Sequence, residues 1–290
     1  MTATQDVPAL SATQRADHHR DRKSSKGELA IVGTGITFGQ LTLAAKAEIE
    51  QADLVLAAVP NGVIADYLLQ LNPHFDSLMP LYGDGRTRPQ TYAAMTARIL
   101  TEIRAGKRVC AVFYGHPGVF VTPSHEAIRQ ARAEGFRARM LPGISAEDCL
   151  IADLGLDPSD HGWASFEATA FLFSRRQIDP TVSMLLWQIG IVGECTLTRY
   201  EPGQNAMQVL RDMLLTAFPP THQLCLYEAS SIPGLPARID WFALQQLPEI
   251  ATKPYSTLLV PALDFPEFAD ERLVPLGLTE RDLQAFTPGS

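Results

Sequence analysis

Between Leu81 and Tyr92 the chain reads Leu-Tyr-Gly-Asp-Gly-Arg-Thr-Arg-Pro-Gln-Thr-Tyr, which gathers two phenols, Tyr82 and Tyr92, and two guanidiniums, Arg86 and Arg88. Two glycines and a proline mark the stretch as a loop. A phenolate can take a proton. A fixed guanidinium can lower a phenol's pKa and stabilise negative charge developing on an oxygen. A plain surface loop would explain the arginines alone.

Three further runs are suited to holding a small molecule: Val32-Gly33-Thr34-Gly35-Ile36, Tyr114-Gly115-His116-Pro117-Gly118-Val119-Phe120 and Pro142-Gly143-Ile144-Ser145-Ala146-Glu147. Each follows an apolar, strand-like segment. In open α/β sheets ligands collect outside the carboxyl ends of the strands, where backbone N–H groups and helix N-termini are exposed and glycine permits close approach. Three such loops from one sheet suggest one site. The first run is not a dinucleotide fingerprint: Gly33-x-Gly35 with Gly39 departs from G-x-G-x-x-G, and Asp53 precedes its strand instead of ending it. The second packs an aromatic ring, an imidazole and a rigid Pro-Gly turn together, a set that can meet a nucleoside. Neither His125 nor any cysteine stands at a metal-ligand spacing from His116, so no metal is expected.

The elements that must position these residues follow a βαβ rhythm. Strands are expected at Leu29 to Val32, Leu54 to Val59, Arg108 to Phe113 and Arg137 to Leu141. Helices are expected at Leu41 to Gln51, Val63 to Leu71, Tyr92 to Arg104, Ser124 to Ala133 and Ser145 to Leu154, the last opening on Ser145 as a cap. That alternation predicts a mainly parallel sheet with helices on its faces. Gly155 to Gly162 breaks it and reads as a linker. Beyond lie strands at Ser165 to Phe173, Ser183 to Ile189, Gln223 to Tyr227 and Thr257 to Val260, and a helix near Ala206 to Ala217, which suggests a second, smaller α/β domain. The expected layout is therefore a disordered tail over 1–26, an N-terminal domain over 27–156, a C-terminal domain over 163–262 and an extension over 263–290.

Composition bounds the class. The chain has 290 residues, 46% of them hydrophobic, and a formal net charge of -8. Two domains with real cores fit this length. An acidic balance argues against nucleic acid. The four cysteines, Cys110, Cys149, Cys195 and Cys225, are widely spaced in apolar stretches, as expected of reduced, buried thiols in a cytoplasmic protein. The first 26 residues lack the apolar core of a signal peptide, and no later run has the length of a membrane helix.

The order Gly33-Thr34-Gly35, then Gly115-His116-Pro117-Gly118, then Pro142-Gly143-Ile144-Ser145 resembles the tetrapyrrole methylase superfamily of S-adenosylmethionine-dependent enzymes. Within it, Tyr114 to Phe120, Pro123-Ser124-His125 and Met140 to Cys149 resemble the borosin peptide backbone N-methyltransferases, and in particular the split bacterial type, whose substrate is a separate precursor peptide. The superfamily usually carries Asp where this chain has His116. The resemblance runs from about Gly27 to the C-terminus and is strongest up to residue 190.

That resemblance implies a two-domain class III methyltransferase fold with S-adenosylmethionine in the interdomain cleft and S-adenosylhomocysteine as product. Carried over position by position, it implies cofactor contacts at Tyr114, His116, Val119, Thr122, Ser145, Ala146, Gln188, Ala229, Ser256 and Thr257. It maps Tyr82, Arg88 and Tyr92 onto catalytic positions. A peptide N–H is nearly non-acidic and attacks a sulfonium methyl only if its proton is removed and the charge on the carbonyl oxygen is stabilised. Tyr92 or Tyr82 is then the base and Arg88 the stabiliser. The last residues, Glu280 to Ser290, hold no Val/Ile-rich tract of the kind the family's fused fungal members carry, so a peptide supplied in trans is expected; the resemblance also implies a homodimer. Two other classes compete: a tetrapyrrole or corrinoid C-methyltransferase, and a non-catalytic S-adenosylmethionine-binding protein.

Overall fold

A computed structural model of the protein describes residues 27–83, 85–263 and 270–283. The expected tail over 1–26 and part of the expected extension lie outside these residues. Strands β1 (Glu28–Gly33), β2 (Leu54–Ala58), β3 (Phe75–Ser77), β4 (Arg108–Phe113) and β5 (Arg137–Met140) form a parallel sheet in the order β3-β2-β4-β1-β5. The near-continuous apolar runs of β1, β2 and β4 accord with burial on both faces. Leu29, Ile31, Val109 and Phe113 pack with α3 (Arg88–Arg104) and α4 (Thr122–Ala133). Val32, Val55, Cys110 and Val112 pack with α1 (Leu43–Gln51) and α2 (Gly62–Leu71). The chain therefore leaves β1 in one direction and β4 in the other. A crevice opens at the carboxyl ends of such a strand pair.

The second sheet is mixed. Strands β6 (Trp163–Glu167), β7 (Ser183–Trp187), β8 (Gln223–Glu228), β9 (Arg238–Ala243) and β10 (Thr257–Val260) run in the order β6-β7-β10-β8-β9, with only β6 and β7 parallel. One face is covered by α7 (Ala168–Phe173) and α8 (Ala206–Leu214) through Phe171, Leu210 and Leu214. The other face is covered by α5 (Ala146–Leu154), whose Leu150 sits among Leu185, Trp187, Cys225, Tyr227 and Leu259. Burying one leucine in this way contributes roughly 1.5–3 kcal/mol. Polar contacts fix the same helix, because Tyr227 Oη donates to Asp153 Oδ2 at 2.7 Å and Trp163 Nε1 to Glu147 Oε1 at 2.9 Å. The helix that leaves the third glycine run thus joins the two sheets.

Several expectations need correction. The helix expected from Tyr92 begins at Arg88, because Thr87 and Gln90 form a capping box and Pro89 stands in the first turn. The strand expected over Ser165 to Phe173 ends at Glu167, whose carboxylate accepts the N–H groups of Thr169 and Ala170 at 3.0 and 2.7 Å and starts α7. Strands β3 and β9 were not expected; both are edge strands with polar residues. The linker holds a short helix, α6 (Pro158–His161), after Gly155 ends α5 in the left-handed region at φ 64°. The second sheet has five strands, as many as the first. Cys195 is exposed and Cys149 half-buried, whereas Cys110 and Cys225 are buried as expected.

Candidate active site

The three glycine runs meet at one carbonyl. A Cβ on Gly33 would stand 2.0 Å from the Gly115 oxygen, and one on Gly143 would stand 3.3 Å from the same atom. Gly35 and Gly115 exchange backbone bonds of 3.3 and 2.9 Å. A cavity of about 500 Å³ is lined from the first half by Tyr82, Tyr92, Tyr114, Val119 and Phe120 and from the second by Trp187, Gln188, Tyr200 and Tyr255. A neighbouring cavity of about 430 Å³ is lined by Thr37, Gln40, Ile144, Cys149 and Ala229, among others. Burial pushes the Tyr114 phenol up to about 12, with further contributions from Cys149 and Tyr255, so this side chain is sensed from both cavities. Phe120 and Gln188 hold positive φ angles of 55° and 57° at the cavity wall. A non-glycine residue in that region costs on the order of 1–3 kcal/mol, which the surrounding fold must offset.

The two phenols of the Leu81 to Tyr92 stretch line this cavity, and the Arg88 charge acts on one of them, Tyr92. The rings of Tyr82 and Tyr92 are perpendicular, and Arg88, one helical turn before Tyr92, lies at the start of α3. The Arg88 guanidinium is largely buried, donating from Nη2 to Glu194 Oε2 at 3.1 Å and from Nη1 to the Arg199 carbonyl at 3.2 Å. It lies 5.7 Å from the Tyr200 ring centroid. Burial raises both tyrosine pKa values above the ordinary 10. At Tyr92 this is opposed by the Arg88 charge and by the hydrogen bond shared with Tyr82; at Tyr82 the same bond raises the value further. Arg86 is exposed and stands apart from this cluster.

Other residues singled out in the sequence have varied placements. His116 sits in the turn between Tyr114 and Val119, its Nδ1 accepting the Gly118 N–H at 3.0 Å. Thr122 opens α4 directly after Val121, which lines the larger cavity. Ser145 caps α5 as expected, and its hydroxyl is committed to Asp148 Oδ2 at 2.6 Å; Ala146 packs against the second sheet beneath Leu150. Ala229 belongs to the smaller cavity. Ser256 and Thr257 are buried. The Ser256 hydroxyl donates to Glu228 at 2.7 Å and accepts from the Lys253 N–H at 2.8 Å. Its carbonyl instead accepts the Ile189 N–H at 3.0 Å and thereby supports the strained turn at Gln188.

Glu194, Tyr200 and Tyr255 were not anticipated. The one available signal was Gly193-Glu194 directly after the apolar run that ends at Val192, an acid placed where the chain turns. Among the described residues no group of three or more His, Cys, Asp or Glu side chains could hold a metal, and no helix is long and apolar enough to cross a membrane.

Comparison with known proteins accords with this geometry. The chain is 43% identical over 224 residues to a methyltransferase/ribosomally synthesized type I borosin cyclic peptide precursor of Coprinopsis marcescibilis, covering 76% of this chain and 57% of that protein. It is 40% identical over 244 residues to the methyltransferase/omphalotin A precursor of Omphalotus olearius, covering 82% and 58%. The chain thus spans a little over half the length of these relatives. Among solved structures, uroporphyrin-III-C-methyltransferase from Thermus thermophilus superposes with a TM-score of 0.60 at 23% identity, over 82% of this chain and 93% of that one. A complex of uroporphyrin-III C-methyltransferase from Thermus thermophilus with S-adenyl homocysteine gives 0.53 at 16%, over 81% and 92%. Since residues 28–225 match the sequence profile of the Tetrapyrrole (Corrin/Porphyrin) Methylases, the chain belongs to that family.

Proposed function

We propose that the protein is an S-adenosylmethionine-dependent methyltransferase acting on backbone amide nitrogens of a precursor peptide. The carrying observation is the convergence of Tyr82 and Tyr92 on one aromatic cavity, with the Arg88 guanidinium near enough for its charge to act on the Tyr92 phenol. The site fits the cofactor. Tyr114 and Trp187 line the larger cavity and offer aromatic faces that attract a sulfonium cation. Tyr114, Val119 and Gln188 would hold it from the larger cavity and Ala229 from the smaller, with His116, Thr122, Ser145 and Ala146 shaping the loops between. When bound, S-adenosylmethionine supplies an electrophilic methyl group and becomes S-adenosylhomocysteine.

The protein's own residues must make the amide nitrogen nucleophilic. Tyr92 is the better base, because Arg88 and the bond shared with Tyr82 both favour its phenolate, while Tyr82 is held as the phenol. The amide proton passes to Tyr92 Oη. The remaining charge spreads onto the carbonyl oxygen, where the Arg88 guanidinium stabilises it. The nitrogen pair then forms the new N–C bond.

Calorimetry with S-adenosylmethionine and S-adenosylhomocysteine tests the cofactor assignment; a folded sample that binds neither refutes it. Arg88→Ala should keep that binding and lose about 100- to 1,000-fold in turnover, since the interaction removed belongs to the developing oxyanion. The proposal extends to a precursor supplied as a separate chain, distinguished from a fused one by where the methyl groups fall, and to a homodimer, read from the mass in solution. A polycarboxylate tetrapyrrole is disfavoured, because no lysine or arginine is found among the lining residues of the larger cavity.

A further inference from the structure

The carboxylate of Glu194 has no exposed surface, although its partner Arg88 belongs to the other half of the chain. Burying a carboxylate is costly unless it is paired and hydrogen-bonded, and here both oxygens are held. Oε2 accepts from Arg88 Nη2 at 3.1 Å. Oε1 accepts the Thr196 N–H at 2.8 Å and the Thr196 hydroxyl, with Arg199 Nε 3.9 Å away. The backbone that follows closes on the same arginine. The Arg88 N–H donates to the Leu197 carbonyl at 3.0 Å, and Nη1 donates to the Arg199 carbonyl at 3.2 Å. The segment is built for close approach: Leu197 sits at φ 58°, Gly193 at φ 71°, and a Cβ on Gly203 would stand 2.4 Å from the Gly193 oxygen.

We infer that Glu194 is a positioning residue for the methyl transfer: it fixes the plane of the Arg88 guanidinium against the reacting amide and ties that placement to the second half of the fold. The inference rests on the proposed amide N-methylation. A guanidinium has five N–H donors in a rigid fork, and the bonds to Glu194 and Arg199 use two of them. Without Glu194 the fork can swing, and a displacement of about 1 Å at an activating group can cost about 100-fold in rate. Glu194 also moderates the field of Arg88 at Tyr92. The other groups around this pair are Tyr82 from the preceding loop, and Arg199, Tyr200 and Glu201 from the segment that follows Glu194.

Two variants separate these contributions. Glu194→Gln keeps the length of the arm and removes its charge. Its kcat should fall by about 100-fold with cofactor affinity unchanged. The alkaline rise of its rate should begin at lower pH, because Tyr92 then faces an unopposed guanidinium. Glu194→Asp keeps the charge but withdraws it by one methylene, so kcat should fall without displacement of the pH profile. Wild-type kcat in the aspartate variant overturns the inference even if the glutamine variant fails to fold. An unchanged kcat and pH profile in a folded Glu194→Gln protein overturns it as well, while leaving the proposed function intact. Ultraviolet titration of the phenols, with Tyr92→Phe as the reference, needs no turnover. If no peptide is methylated by the wild-type protein, that titration still decides: a Tyr92 signal displaced to lower pH in Glu194→Gln supports the coupling, and an unmoved signal refutes it.

Discussion

The ring of Tyr82 stands edge-on to that of Tyr92, with centroids 6.5 Å apart and planes at 84°. Burial raises both phenol pKa values, and at Tyr92 the Arg88 charge opposes that rise, which favours Tyr92 as the proposed proton acceptor. Tyr92→Phe should therefore lose about 100-fold or more in kcat, because a phenyl ring cannot accept a proton. Tyr82→Phe should lose less, about 10-fold, because it removes only a supporting bond. Single-turnover rates of both variants check this, and the reverse ranking transfers the base to Tyr82.

Burial leaves the Tyr92 pKa above the ordinary 10 despite the opposing Arg88 charge. The form needed is the phenolate, which is the minority species below that pKa, so activity is gained as pH rises. The slope should be about tenfold per pH unit between about pH 7 and 9. A pH–rate profile under saturating cofactor measures it, and a flat profile with chemistry limiting would remove a tyrosine from the proton transfer.

The glycine junction predicts a sharp positional effect. Gly33→Ala forces a methyl group to within 2.0 Å of the Gly115 oxygen, whereas Gly62→Ala meets nothing within 4 Å. The first should cost about 1–3 kcal/mol and weaken cofactor binding; the second should do neither. Thermal melts and calorimetry compare the two, and an unperturbed Gly33→Ala protein would show that the loops do not close on one another.

Beneath the cavity, Glu228 is buried and receives Lys253, Ser256 and Arg238 at 2.8, 2.7 and 2.9 Å. Burial pushes its pKa up, but these partners outweigh it and the net displacement is downward. A lowered folded pKa contributes stability that is present above the unfolded value of about 4.3 and is lost as pH falls through the folded one. Glu228→Gln should cost about 1–3 kcal/mol at neutral pH. The difference in Tm from wild type should shrink in acid. A gap that stays constant with pH would contradict this linkage.

What the sequence made legible follows its local signals. The continuous apolar runs of β1 and β4 and the Ser145 cap are local, and the structure reproduces them. The start of α3 was misplaced because Gly83, Gly85 and Pro89 read as loop, although a proline in a first turn is also a helix signal. That error hid the placement of Arg88 on a helix. Tyr255 lines the cavity while the hydroxyl of its chain neighbour Ser256 turns inward to Glu228, a division of roles that no local pattern marks. Tyr200 carried no local signal and Glu194 only its place after Gly193, since their role depends on contact with Arg88 more than 100 residues away in sequence.

The central claim is methyl transfer to a backbone amide of a peptide. The most direct test incubates the protein with S-adenosylmethionine carrying an isotopically labelled methyl group and a precursor peptide with an apolar core, encoded beside it, and locates the label by tandem mass spectrometry. The account predicts label on backbone nitrogens, resolved by fragments that carry it with Ile, Val or Gly, whose side chains accept no methyl group. It predicts no label on the protein itself. Label confined to side chains of the peptide, or found only on the enzyme's own chain, would contradict it.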